Sequence, residues 1–180
     1  MRVALVALLA LGACSEPAAP ILPRTESAAR ADQISPDGFG AIHIGVSLAE
    51  ARANLGAALS QMEAADNPES CATAAYTTDD GQQLLLMFER SRVTSLYAGG
   101  AAPSVRTPEG LGVGSTAAEV RAAYPAALEE PAKYDDPPAH NLIIWRAPNE
   151  SGLRFEIGSD GKVTAIHAGG PSILYVEGCA

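Results

Sequence analysis

Few side chains in this sequence have the type and spacing to do chemistry. The three cysteines are Cys14, Cys71 and Cys179, and the three histidines are His43, His140 and His167. None of the six falls into the short Cys/His spacings that build a metal site or a redox pair. No serine stands in a Gly-x-Ser-x-Gly elbow. Gly110-Leu111-Gly112-Val113-Gly114 has the glycine density of a phosphate loop but lacks the Lys-Ser/Thr that would follow it. Asp79-Asp80 and Asp135-Asp136 are paired acids in turn-like, hydrophilic surroundings, where carboxylates are solvated rather than catalytic. No nucleophile, base and orienter come together, so the reading is a non-enzymatic protein with no metal and no cofactor.

The cysteines are better explained by compartment than by catalysis. Residues 3–11 are an apolar run behind Arg2, too short for a bilayer, which needs about 20 residues. The run ends in Leu11-Gly12-Ala13-Cys14, a large aliphatic residue and two small ones before a cysteine. That is the bacterial lipobox: the small residues admit a peptidase, and the Cys14 thiol takes a lipid. Residues 1–13 are thus read as a lipoprotein signal peptide. Ser15, rather than aspartate, follows the lipidated cysteine, which points to the outer membrane, facing the periplasm. With Cys14 lipidated, Cys71 and Cys179 remain. An oxidising compartment favours a disulfide between them over two buried free thiols.

The formal net charge is −9. Phosphate backbones are bound by basic surfaces, so a nucleic-acid partner is not expected. No polybasic patch is present either, which leaves the lipid anchor as the membrane contact. Residues 14–33 hold Pro17, Pro20 and Pro23 without sustained periodicity and read as a flexible tether.

Two stretches of the remaining chain echo each other. Gly45-Val46-Ser47-Leu48-Ala49-Glu50-Ala51-Arg52 returns, 69 residues on, as Gly114-Ser115-Thr116-Ala117-Ala118-Glu119-Val120-Arg121. In each, a glycine permits a turn and Ser/Thr-x-x-Glu forms a capping box ahead of a helix, through Ser47 with Glu50 and Thr116 with Glu119. Gly56 and Pro125 are the expected stops. A second echo links residues 92–100 to residues 162–170. Strands are expected over residues 41–44, 71–77, 84–89 and 93–97, then over 141–146, 152–157 and 162–167. Asp160-Gly161 is a hairpin turn. Residues 34–106 and 107–180 are therefore read as two repeats, the second carrying a C-terminal tail. The expected fold is α+β: two tandem helix-plus-antiparallel-strand repeats packed as a helix layer on one face of a curved sheet.

This glycine, Ser/Thr-x-x-Glu and helix pattern resembles that of the small BamE-type (SmpA/OmlA) lipoproteins, and its tandem arrangement resembles the β-lactamase inhibitory proteins. The resemblance implies an inhibitor-like module or an accessory lipoprotein of outer-membrane or envelope assembly. It carries over no contact residue. A sheet covered on one side by helices leaves the other side open. Tyr97 and His167, at equivalent points of the last strand in each half, are candidate binding residues, with Trp145 and Tyr134 in the less regular second half. The reading is an exported, lipid-anchored periplasmic binding module, inhibitor-like, that recognises another protein, with a structural accessory role in outer-membrane or envelope assembly as the alternative.

Overall fold

The computed structural model describes residues 32–62, 67–147 and 150–179. The expected signal peptide, the expected lipidation site Cys14 and almost all of the expected tether lie outside these residues. Three two-residue strands, β1 (Ile34–Ser35), β2 (Gly38–Phe39) and β3 (Ile42–His43), form a small antiparallel meander. Its hairpin depends on Gly38, where φ is +136° and an added Cβ would lie 1.9 Å from the Ile42 carbonyl oxygen. Helix α1 (Leu48–Leu55) follows, then strands β4 (Ala72–Thr77), β5 (Gln83–Glu89) and β6 (Arg92–Ala98). Helix α2 (Ala117–Ala123) leads into β7 (Leu128–Pro131), β8 (His140–Ala147), β9 (Ser151–Ile157) and β10 (Val163–Gly169).

The other seven strands make one antiparallel sheet in the order β4-β5-β6-β10-β9-β8-β7. The expectation of tandem helix-plus-strand repeats is therefore corrected. Strands β6 and β10 pair directly, Tyr97 opposite His167 and Ala98 opposite Ile166, so the sheet runs unbroken through the middle of the chain. The two halves contribute unequally, with three strands from before α2 and four from after it, and the small meander belongs to the first half alone. What recurs is the local motif. Ser47 Oγ accepts from Glu50 N at 3.2 Å and Ser47 N donates to Glu50 Oε2 at 2.9 Å; Thr116 and Glu119 do the same at 3.2 and 2.7 Å. Each helix entry is also tied to a strand hairpin, through Gly45 N to Val93 O and Gly114 N to Val163 O. A repeated cap and tie fixes where a helix starts. It does not dictate how the strands beyond it partition.

Helices of 8 and 7 residues are too short to persist alone, since isolated helices shorter than about 12 residues are marginal in water. They are held by burial of Ala51, Ala117 and Val120 against the sheet. One continuous core joins those residues and Ile34, Phe39 and Ile42 of the meander to Leu84, Leu86, Phe88, Leu96, Leu153, Phe155 and Ile166 of the sheet. The helices thus share cover of this face with the meander and do not form a layer by themselves. Ser47→Ala and Thr116→Ala are each expected to cost about 1 kcal/mol, read as a fall in the urea midpoint at constant slope. A loss below about 0.3 kcal/mol in both would show that the hairpin ties alone hold the helix entries.

The tail makes a 3-10 turn, Pro171–Leu174, and then crosses the sheet without pairing. Ile173 is fully buried and anchors it. Its end is fixed by the Cys71–Cys179 disulfide, with Cα atoms 5.3 Å apart, to the residue before β4.

Candidate functional site

Side chains alternate along a strand, so residues between the core positions face the other side of the sheet. Register places seven of them in one row across all seven strands: Ala75, Leu85, Tyr97, His167, Arg154, Ile143 and Leu128. At its centre is a polar cluster. Arg154, only 3% exposed, places Nη2 2.7 Å from Glu156 Oε1 and 2.7 Å from His167 Nε2. His167 Nε2 is 2.8 Å from the same Glu156 oxygen. The Tyr97 ring meets the His167 ring edge-on, with centroids 5.0 Å apart.

A single ring nitrogen cannot both accept from Arg154 and donate to Glu156, so the two contacts belong to different tautomers. Burial pushes the His167 pKa below its ordinary value; Glu156 opposes that shift and Arg154 adds to it. Glu156 is held below the ordinary carboxylate range, first by its hydrogen bond with His167, with the neighbouring Arg154 guanidinium adding to the shift against burial. Burial, opposed by Glu156, lowers the Arg154 pKa. The resting cluster is thus a guanidinium–carboxylate pair beside a neutral imidazole. Among the hydrogen bonds of the described residues, those of His167 go to Arg154 and Glu156 and none to a hydroxyl or thiol. The cluster can hold charge and protons and can bind a polar group.

A pH dependence of stability follows. A group whose pKa falls on folding binds more protons in the unfolded chain, so acid favours unfolding. For His167 the stability is fully present above its unfolded value of about 6.5 and declines as pH drops below it. Glu156 adds a further decline below about 4.5. His167→Gln is expected to flatten the stability profile between about pH 6.5 and 5, measured by urea denaturation at stepped pH. A variant profile parallel to that of the native chain would remove His167 as the cause.

The face carrying this cluster is only partly covered. Residues 132–139 lie over one side and the disulfide-tied tail over the other, with a cavity beneath each. The first, about 560 Å³, is lined by Tyr134, Asp135, Asp136, His140, Arg154 and Glu156 among others. The second, about 480 Å³, lies between the tail and strands β5, β6 and β10, and includes Leu85, Met87, Tyr97, Tyr175, Glu156 and Glu177 in its wall. Tyr134 donates its phenol to Glu177, which joins the two covers.

Of the sequence candidates, Tyr97 and His167 are brought together at the centre. Tyr134 stands on the neighbouring loop, exposed, with Lys133 Nζ 5.1 Å from its ring centre. Trp145 faces the same side but lies apart, opposite Gly152, where an added Cβ would come within 2.8 Å of its ring. Arg154 and Glu156 were missed. The alternation Leu153-Arg154-Phe155-Glu156-Ile157 shows a charged strand face, and such a face ordinarily reads as solvated. Tyr175, Val176 and Glu177 were missed as site residues because nothing local tells a tail to fold back across a sheet. The Asp135-Asp136 pair, read as a plain turn, borders the first cavity. Among the described residues no three His, Cys, Asp or Glu side chains converge as a metal-ligand set, and no helix is long and apolar enough to cross a membrane.

The Cys71–Cys179 disulfide marks the folded chain as extracytoplasmic. No family model matches the chain, and no curated protein matches it. A solved structure with similarity is a 1.5 Å crystal structure of an extracellular protein containing a SCP domain from Bacillus anthracis str. Ames, with 12% sequence identity and a TM-score of 0.49. The match covers 73% of this chain and 45% of that one, so the chain spans less than half the length of that protein. At this similarity it assigns neither a family nor a function. The expected kinship with the β-lactamase inhibitory proteins and the BamE-type lipoproteins is overturned. No model of either family matches, and the chain forms a single seven-stranded sheet where tandem units were expected.

Proposed function

We propose that this protein is an exported binding module, anchored to the outer membrane through a lipid on Cys14, that recognises another extracytoplasmic protein with the sheet face opposite its helices. The observation carrying this reading is where the large apolar side chains are exposed. Among the described residues, Leu85, Tyr97 and Leu128 are exposed in the register row on that face; Tyr134, Leu174, Tyr175 and Val176 are exposed on the two segments that flank it. Apolar exposure gathered on one side, around a polar centre, is how interaction surfaces differ from the scattered apolar residues of an ordinary exterior. With a net charge of −9, the chain is complementary to a partner whose contact surface combines apolar and basic groups.

Site-directed photo-crosslinking in intact envelopes tests this. A photoreactive residue at Leu85 or Leu128 is expected to trap one protein species, and the same probe at Ala53, exposed on α1, is expected not to trap it. Equal trapping at all three positions, or none at any, would overturn the reading. The anchor has its own control in the same material: Cys14→Ser should lose the acyl mass and leave the membrane fraction. Unchanged membrane fractionation of that variant would remove the lipid from the proposal.

A further inference from the structure

The cavity under the tail has a composition that specifies a ligand class. Its wall holds two carboxylates, Glu156 and Glu177, and no lysine or arginine. It also holds two phenol rings, Tyr97 and Tyr175, with Leu85, Met87 and Val176 supplying apolar surface. A third carboxylate stands at its edge, since Tyr175 donates its phenol to Glu89 at 3.2 Å. Arg154, which is not part of this wall, pairs with Glu156 and so balances one negative charge, which leaves the cavity net negative. The tyrosines register this field: Tyr97 is held protonated by burial and by Glu156, and Tyr175 by Glu89 first and burial second. Aromatic faces beside carboxylates, in a site with apolar walls, stabilise an organic cation by cation–π attraction together with ion pairing. A small metal ion is disfavoured by the same walls, which offer it few converging oxygens.

We infer that this cavity is the seat of an arginine or lysine side chain presented by the partner protein, its alkyl stem against Leu85, Met87 and Val176 and its charged head between Tyr97, Tyr175, Glu156 and Glu177. This deepens the protein-binding reading and rests on it for the source of the cation. The volume of about 480 Å³ accommodates such a side chain with room for water. An alkyl stem and a charged head match the two kinds of wall, as the amphipathic build of both side chains requires. The tail forms one side of the cavity, and the disulfide at Cys179 keeps that side in place without the partner.

The test is a titration of the intact mature chain followed by amide NMR. The probe is butylguanidinium chloride, compared at equal ionic strength with n-pentanol as a neutral isostere. Saturable shifts are expected at Leu85, Tyr97, His167 and Val176 for the cation, with at least about tenfold weaker effects for the alcohol. Glu177→Gln is expected to weaken the cation about fivefold without disturbing the fold, because Glu177 lies on the exposed tail. Tyr175→Leu, also on the exposed tail, removes an aromatic face and serves as the second variant, with a comparable weakening expected. Equal binding of the alcohol, shifts located elsewhere on the acidic surface, or no shifts would each overturn the cation site. Peptides separate the sources of the charge: an acetylated, amidated arginine pentapeptide should bind at least as tightly as butylguanidinium, and exclusion of the peptide would reassign the cavity to free organic cations. Failure here is distinguishable from failure of the interface. Crosslinks confined to Leu85 and Leu128 without cation binding leave the face and remove the cavity, whereas cation binding without crosslinks does the reverse.

Discussion

Replacing Arg154 with methionine is expected to destabilise the protein by about 3 kcal/mol. Arg154 is 3% exposed and pairs with Glu156 at 2.7 Å. Removing one partner of a buried pair commonly costs about 3–5 kcal/mol, because the other charge stays in a medium that solvates it poorly. Two features place the value at the lower end. The Glu156 side chain retains 36% of its exposure, so water recovers part of the loss. The Arg154 Nε is buried without a hydrogen-bond partner, and methionine removes that unsatisfied group along with the charge. The measurement is the urea midpoint at constant slope. Adding Glu156→Gln to Arg154→Met should recover most of the stability, since the stranded carboxylate is then gone. A double variant with the sum of the two single losses would show that the groups are not coupled.

Breaking the Cys71–Cys179 bond is expected to cost about 2–4 kcal/mol. The bridge spans 108 residues, and the chain-entropy argument for a loop of that order gives near 4.7 kcal/mol, which measured disulfides seldom reach. The local consequence is sharper than the global one. The tail is held by the buried Ile173 and then, through the exposed residues 174–177, by side-chain contacts of Tyr175 with Glu89 and Glu177 with Tyr134. Without the bond, residues 175–178 should lose hydrogen-exchange protection first, while β5 and β6, paired on both sides within the sheet, keep theirs. Reduction that leaves both the melting temperature and the tail's exchange unchanged would show the bond to be incidental.

The same tail shows where sequence reasoning reached its limit. The pairing of Cys71 with Cys179 was legible by counting thiols and asking which compartment oxidises them. The caps at Ser47 and Thr116 were legible because a capping box is complete within four residues. The six longer strands of the large sheet lie within about a residue or two of where period-two alternation and turn residues set them, as boundary uncertainty allows. The short β7 was overlooked. Its segment Leu-Glu-Glu-Pro carries no apolar alternation, and it is a strand only because β8 offers it an edge.

The sequence by itself determined what depends on neighbours along the chain: the six longer strands, helix entry and an acidic composition. Tertiary structure decided what depends on neighbours across space. The pairing of β6 with β10 made one sheet of what looked like two repeats, because free strand edges are satisfied by whichever strand the chain brings alongside. That pairing set Tyr97 against His167, and the β9 register set Arg154 beside them. The tail and residues 132–139 then closed over the row, turning a charged strand face that would otherwise be solvated into a buried ion pair between two cavities. Alternation can say that a charge leaves the core, but only the packing of distant segments decides whether it meets water or another side chain.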